Sequence, residues 1–255
     1  MSGRNTGSVV RSGALWRSFL VLGLVSAQVA TACQPCTDVM NLDTCRPAPA
    51  GADEKSAALR SLPKEGEVTQ LSDGDRLKLR DLAPILRLHA REGVYEIKVI
   101  SVPQAWMGLY QRAILLISLP ALQLLGSEEL QALVAHEIGH EYVWEEYAIA
   151  QERGNQARLR ELELACDRIA VFTLERIGVR PDRLITGLEK VSWFNRYRLG
   201  QAANESYYPP LKIRRNLVKS LSRTNASLSV SQGAGKPKIY GAIGSSMCDG
   251  NPREQ

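Results

Sequence analysis

The sequence lacks several features that would assign it to a class at once. It has no apolar run able to span a bilayer: the stretch Phe19-Leu20-Val21-Leu22-Gly23-Leu24-Val25 is broken soon afterwards by Ser26 and Gln28, well short of the ~20 residues a spanning helix needs. With only 12 prolines and 23% charged residues it is neither collagen-like nor disordered. Acidic residues are missing altogether from 1–32, where Arg4, Arg11 and Arg17 carry three of the five net positive charges. The remaining body is therefore close to neutral and has no basic stripe, which excludes nucleic acid as a partner. There is no internal repeat, and histidine is scarce, at three residues. What is present is 255 residues with 44% hydrophobic content, enough for one sizeable core or two small ones.

Residues 1–32 read as an address. A basic start leads into the short apolar stretch and then to Ala30-Thr31-Ala32 before Cys33, the order of a signal peptide with a small-x-small cleavage site. Cys33 at that junction also resembles a bacterial lipobox, with Ala30 in place of the usual Leu. Lipidation would leave an even four of the five cysteines: Cys36, Cys45, Cys166 and Cys248. An exported chain keeps disulfides, so Cys36 and Cys45 are candidates to close a small loop. The expected location is periplasmic, either as a soluble protein or held at the outer membrane through a lipid on Cys33.

Helical periodicity dominates the rest. Residues 33–56, rich in Pro, Ala, Asp and Cys, show none and read as a tether. From Asp73 to Arg91 apolar residues return at helical spacing. Tyr95 to Ile100 alternates like a strand, and Ala113 to Leu119 reads as an apolar strand. Ser127-Glu128-Glu129 opens a helix expected to reach about Ala150. Further helices are expected over Ala157 to Ile177, from Pro181, and from Pro209-Pro210 to Ser222. The pattern predicts an α+β domain, mainly helical, with a small β-sheet.

The chemistry concentrates in His136-Glu137-Ile138-Gly139-His140. With three histidines, such an H-E-x-x-H arises in roughly three in a thousand shuffled chains. Residues four apart share a helix face, so His136 and His140 can reach one zinc ion at ~2.0–2.1 Å. Glu137, on the neighbouring face, is placed to take a proton from a metal-bound water. A third ligand is needed. His89 lies between Arg87 and Arg91 and reads as a surface residue. Glu163 and Asp167 share a face of the next helix, so one can bind the metal while the other orients an imidazole; Glu161 points away and reads as solvated.

Leu133 to His140, followed by Glu163-Leu164-Ala165-Cys166-Asp167-Arg168-Ile169-Ala170, resembles the gluzincin metallopeptidases of the HtpX and CAAX prenyl endopeptidase family. The resemblance runs from about Leu71 to Leu221. It implies a zincin-like metallopeptidase domain in which His136, His140 and Glu163 hold one Zn²⁺, Glu137 is the general base and Asp167 supports a ligand imidazole. The 23-residue step from His140 to Glu163 holds no membrane span, which favours the soluble periplasmic branch similar to BepA-type proteases. Tyr208 stands where the family often has the His of a His-Pro pair, so that its phenol either donates to a developing oxyanion or only packs. Gln104-Ala105 and Pro120 replace an Asn-Ala pair and a Gly. The chain then divides into a signal peptide (1–32), a tether (33–56), a zinc metallopeptidase domain (57–222) and a C-terminal tail (223–255). The expected activity is hydrolysis of peptide bonds in exported or misfolded envelope proteins, with the strand over Ala113–Leu119 as the substrate-holding edge. A chaperone that binds proteins in the same cleft with little proteolysis is the alternative.

Overall fold

The computed structural model describes residues 45–62, 66–200 and 208–232, with side chains described as far as residue 223. The leader, Cys33, Cys36, Cys248 and the end of the tail lie outside these residues. Cys45 is disulfide-bonded, whereas Cys166 is a free, buried thiol. The fold is α+β and mostly helical, with one small mixed sheet. None of the described helices is long and apolar enough to cross a membrane.

The sheet contains β1 (Glu96–Ile100), β2 (Met107–Tyr110) and β3 (Ile114–Ser118) in the order β1-β3-β2. Strands β1 and β3 run parallel, and β2 is antiparallel to β3. All five residues of β3 are buried, the signature of a strand covered on both faces. This corrects the expectation that Ala113–Leu119 forms an edge: it is the centre, and β2 is the edge. Its hairpin turns through Gln111 (φ 46°) and Arg112 (φ 55°), the two left-handed residues that match the twist of paired strands. Neither is glycine, and Arg112 is held there by the Ala48 carbonyl and the Glu141 carboxylate.

One face of the sheet carries Met107, Leu109, Leu115 and Ile117 in the main core. The other carries Ile114 and Leu116 and is covered by Ala58 of α1 (Ala52–Ser61), a helix that begins inside the stretch read as tether. The run expected over Asp73–Arg91 is two helices, α2 (Asp73–Arg80) and α3 (Ala83–Leu88). Pro84 explains the break, since it lacks an N–H and disfavours helical geometry in the residue before it. Ser118 ends β3 and caps α4 (Leu119–Leu124) by accepting from the Ala121 amide at 3.2 Å.

The metal-motif helix is α5 (Ser127–Tyr142), and Gly126 rather than Ser127 is its cap residue, its N–H donating to Glu129 at 2.9 Å. Residues 129–136 of α5 are all buried, so α5 is the central helix. Each large aliphatic side chain buried there contributes about 1.5–3 kcal/mol. The helix ends at Tyr142 instead of reaching Ala150; after Val143 (φ −121°, ψ 18°) the chain restarts in a new direction as α6 (Trp144–Glu152). Asn155 then caps α7 (Gln156–Arg176) by accepting from the Arg158 amide. Gly178 follows α7 with φ 77°, and α8 (Asp182–Leu199) and α9 (Leu211–Gln232) complete the order.

Candidate metal centre

Helices α5 and α7 bring His136, Glu137, His140, Glu163 and Asp167 together. One donor atom from each of His136, Glu137 and His140 lies within 4.8 Å of the other two, so this group could hold a metal ion. Glu163 reaches the same point from α7. Its Oε2 stands 3.3 Å from His136 Nε2, and its Oε1 stands 3.7 Å from His140 Nε2. Two ligands each ~2.0–2.1 Å from a tetrahedral ion are about 3.3 Å apart, so this spacing fits a shared cation. Glu163 is fully buried and its Oε2 has no hydrogen-bond partner. A buried carboxylate oxygen left unpaired is costly, and a cation between Glu163 and the two imidazoles would satisfy it. The donor set of imidazole nitrogens and carboxylate oxygen is one that zinc accepts.

The orientation of His136 is fixed from behind. Asp167 is fully buried. Burial opposes its charge, but His136 and Arg214 together hold its pKa below the ordinary carboxylate range. An ionised Asp only accepts, so Nδ1–H of His136 donates to Asp167 Oδ1 at 3.0 Å. That leaves Nε2 turned towards Glu163 and the point shared with His140, where a cation would displace its proton and take its lone pair.

Arg214, from α9, closes the triad. Its Nε donates to Asp167 Oδ2 at 2.7 Å and its Nη2 to Oδ1 at 2.5 Å, a bidentate pair with both partners buried. The sequence reading gave Arg214 no role. A signal was there: Arg214, Val218 and Leu221 recur at spacings of four and three on the buried stripe of α9, where a cation needs a buried partner.

Tyr147 is the second residue the sequence reading missed. Its hydroxyl donates to Glu163 Oε1 at 3.0 Å, and its ring meets His140 edge-on at 4.9 Å between centroids. One oxygen of Glu163 is thus occupied and the other left for the ion. Only the break between α5 and α6 turns Tyr147 into the site, and no sequence periodicity announces that turn.

The two carboxylates of the site differ in their surroundings. Burial opposes the charge on Glu163, but His136, His140 and Arg214 pull its pKa below the usual range. Glu137 is partly exposed. Removal from water pushes its pKa up to about 7, with Glu163 adding to the rise and His136 opposing it. For His136, burial disfavours the cation, yet the carboxylates of Asp167 and Glu163 raise its pKa to about 9. Burial lowers His140 to about 4. Tyr208 is 48% exposed, and its phenol lies within electrostatic reach of Glu163 and Glu137, which together with desolvation raise its pKa.

Strand β2 borders the site. Ser118 N–H donates to the Trp106 carbonyl, so the alternation of an antiparallel ladder turns Gly108 and Tyr110 towards β3 and the N–H and C=O groups of Met107 and Leu109 outwards. The Leu109 amide faces Glu137, whose charge it favours.

His89 is not on the surface. It is 1% exposed, and its ring nitrogens bond Tyr142 Oη and Thr173 Oγ1, each at 2.8 Å. Beside it Arg91 pairs bidentately with Glu141 at 2.7 and 3.0 Å, and Tyr95 donates to the same carboxylate at 2.5 Å. These contacts grip Glu141 and Tyr142, the two residues after His140. His89 therefore anchors the end of the metal-motif helix and takes no part in the donor set. Glu161 is exposed and pairs with Arg158, as its position on the helix predicts. No protein-family model matches the chain, and no curated protein matches it.

Proposed function

We propose that the protein is a zinc-dependent endopeptidase with a zincin-like domain, similar to the soluble branch of the HtpX and CAAX prenyl endopeptidase family. The observation that carries this reading is the unpartnered Oε2 of buried Glu163, 3.3 Å from His136 Nε2. His136, His140 and Glu163 would hold one Zn²⁺. When bound, zinc polarises a peptide carbonyl and makes water a nucleophile near neutral pH.

The chain's own groups do the rest. Asp167, clamped by Arg214, keeps the His136 proton on Nδ1 and the ring in position. Tyr147 restrains Glu163. Glu137 takes a proton from water and returns it to the leaving amine, the part open to a carboxylate that stands beside the two imidazoles. The outward N–H and C=O of Met107 and the C=O of Leu109 pair with an extended substrate added to the edge of β2. Tyr208, at the mouth of the site, donates to the developing oxyanion. Substrates are exported or misfolded envelope proteins, reached after cleavage of residues 1–32, with Cys33 available for a lipid anchor.

The test is casein cleavage by the purified mature chain, with chelator and after zinc is restored. Loss with chelator and recovery with zinc are expected. Suppression of casein aggregation without any cleavage in the zinc-loaded protein would replace the peptidase reading with the chaperone.

A further inference from the structure

The α1-facing side of β2 carries a feature that the zinc chemistry does not use. A Cβ built on Gly108 would lie 2.6 Å from Cζ2 of Trp106 and 3.1 Å from Cη2. The indole therefore occupies the space over the glycine. Trp106 is nevertheless 41% exposed, so its outer surface remains open to a ligand. Its backbone is fixed from two sides. Ser118 Oγ accepts from the Trp106 amide at 2.8 Å, and the Asn195 side chain bonds both the N–H and the C=O of Ala105 at 2.9 Å. A half-exposed indole on an anchored backbone beside a strand edge has only two side-chain torsions to fix, so it is a contact surface that costs little entropy to use.

The register of β2 decides what would meet it. Gly108 turns its hydrogen-bonding groups towards β3, so on the outer edge it is a non-hydrogen-bonded position. Side chains of an antiparallel pair come closest at such positions, with Cα atoms about 4.5 Å apart. A peptide residue opposite Gly108 would direct its side chain to the α1-facing side, against the indole. Its neighbour, opposite Leu109, would turn to the other side, towards Glu137 and the donor set.

We infer that Trp106, laid over Gly108, is a recognition shelf that selects a large apolar or aromatic side chain one residue away from the peptide position facing Glu137. The inference rests on the peptidase reading for its occupant, an extended peptide added to β2. Gly108 belongs to the device because any side chain there would lift the indole.

The experiment measures binding of fluorescein-labelled Ala/Thr octapeptides, in which a single Phe, Leu or Ser is walked along the chain, to zinc-loaded Glu137→Gln. At one position Phe should bind roughly tenfold tighter than Ser. Adding Trp106→Ala or Gly108→Ala should bring that ratio close to one, while Trp106→Phe should keep most of it. Zinc content and thermal melting accompany each variant. If Trp106→Ala does not fold, Gly108→Ala decides, since the ring it displaces is half-exposed and can swing clear. A Phe/Ser ratio unchanged in the folded variants overturns the shelf. Casein cleavage by the parent separates the two readings: a Trp106-dependent ratio without cleavage keeps the shelf and removes the peptidase, whereas cleavage with a ratio indifferent to Trp106 removes the shelf alone.

Discussion

Gly139 lies against the backbone of Cys166: a Cβ on Gly139 would fall 2.9 Å from the Cys166 Cα and 3.1 Å from its carbonyl oxygen. Helices α5 and α7 therefore touch main chain to main chain between the level of His136 and that of His140. This contact sets the distance across which Glu163 faces the two imidazoles. Gly139→Ala should destabilise the protein by roughly 1–3 kcal/mol and weaken zinc binding by moving α7 outwards. The nearest atoms include main chain, so adding Cys166→Ala should not rescue it. Denaturant melts and zinc titration check both points, and full rescue would show that the side chain alone sets the spacing.

Arg214 neutralises Asp167 where no water reaches. Arg214→Met leaves that carboxylate buried with His136 as its remaining partner, and the loss should be about 3–5 kcal/mol. Zinc affinity should fall about 10–100-fold as His136 loses its fixed orientation. Arg214→Lys should recover only part of either, because an ammonium cannot make the bidentate pair. Isothermal titration with zinc and urea melts of the two variants give the comparison.

Much of this site was legible from residue spacing. Two imidazoles four apart on a helix, and two acids four apart on the next, are facts of helical geometry, and the structure brings all four together. Tyr147 was hidden because its position depends on the turn at Val143, where no Pro or Gly marks a break. Strand β2 was hidden because Trp106, Gly108 and its short span carry no alternation. His89 misled for a different reason: flanking arginines suggest solvent, but Arg91 itself is buried against Glu141. Local charge does not report a partner 50 residues away in the chain.

The burial of His89 makes stability depend on pH in a defined direction. Desolvation, with Arg91 and Arg46 nearby, lowers its pKa from 6.5 to about 3. Above 6.5 the ring is neutral in both folded and unfolded chains, and its contribution is complete. As pH falls from 6.5 towards 3 only the unfolded chain takes up the proton, so stability is lost at about 1.4 kcal/mol per pH unit. His89→Gln, which can still bond Tyr142 and Thr173, should lose stability less steeply than the parent between pH 6.5 and 4.5. Urea melts of the two proteins in chelator give the difference; identical slopes would place the parent's acid sensitivity elsewhere.

The central claim is a division of labour between two carboxylates, with Glu163 holding the ion and Glu137 moving the proton. Zinc content and casein turnover, measured side by side in the parent, Glu137→Gln and Glu163→Ala, test it most directly. The expected result is one zinc per chain in the parent and in Glu137→Gln, with turnover in the latter lower by about 10²–10⁴-fold, and zinc well below one per chain in Glu163→Ala. Full zinc occupancy in Glu163→Ala together with loss of zinc in Glu137→Gln would contradict the account, because Glu137 would then be the third ligand and the base would have to be another group.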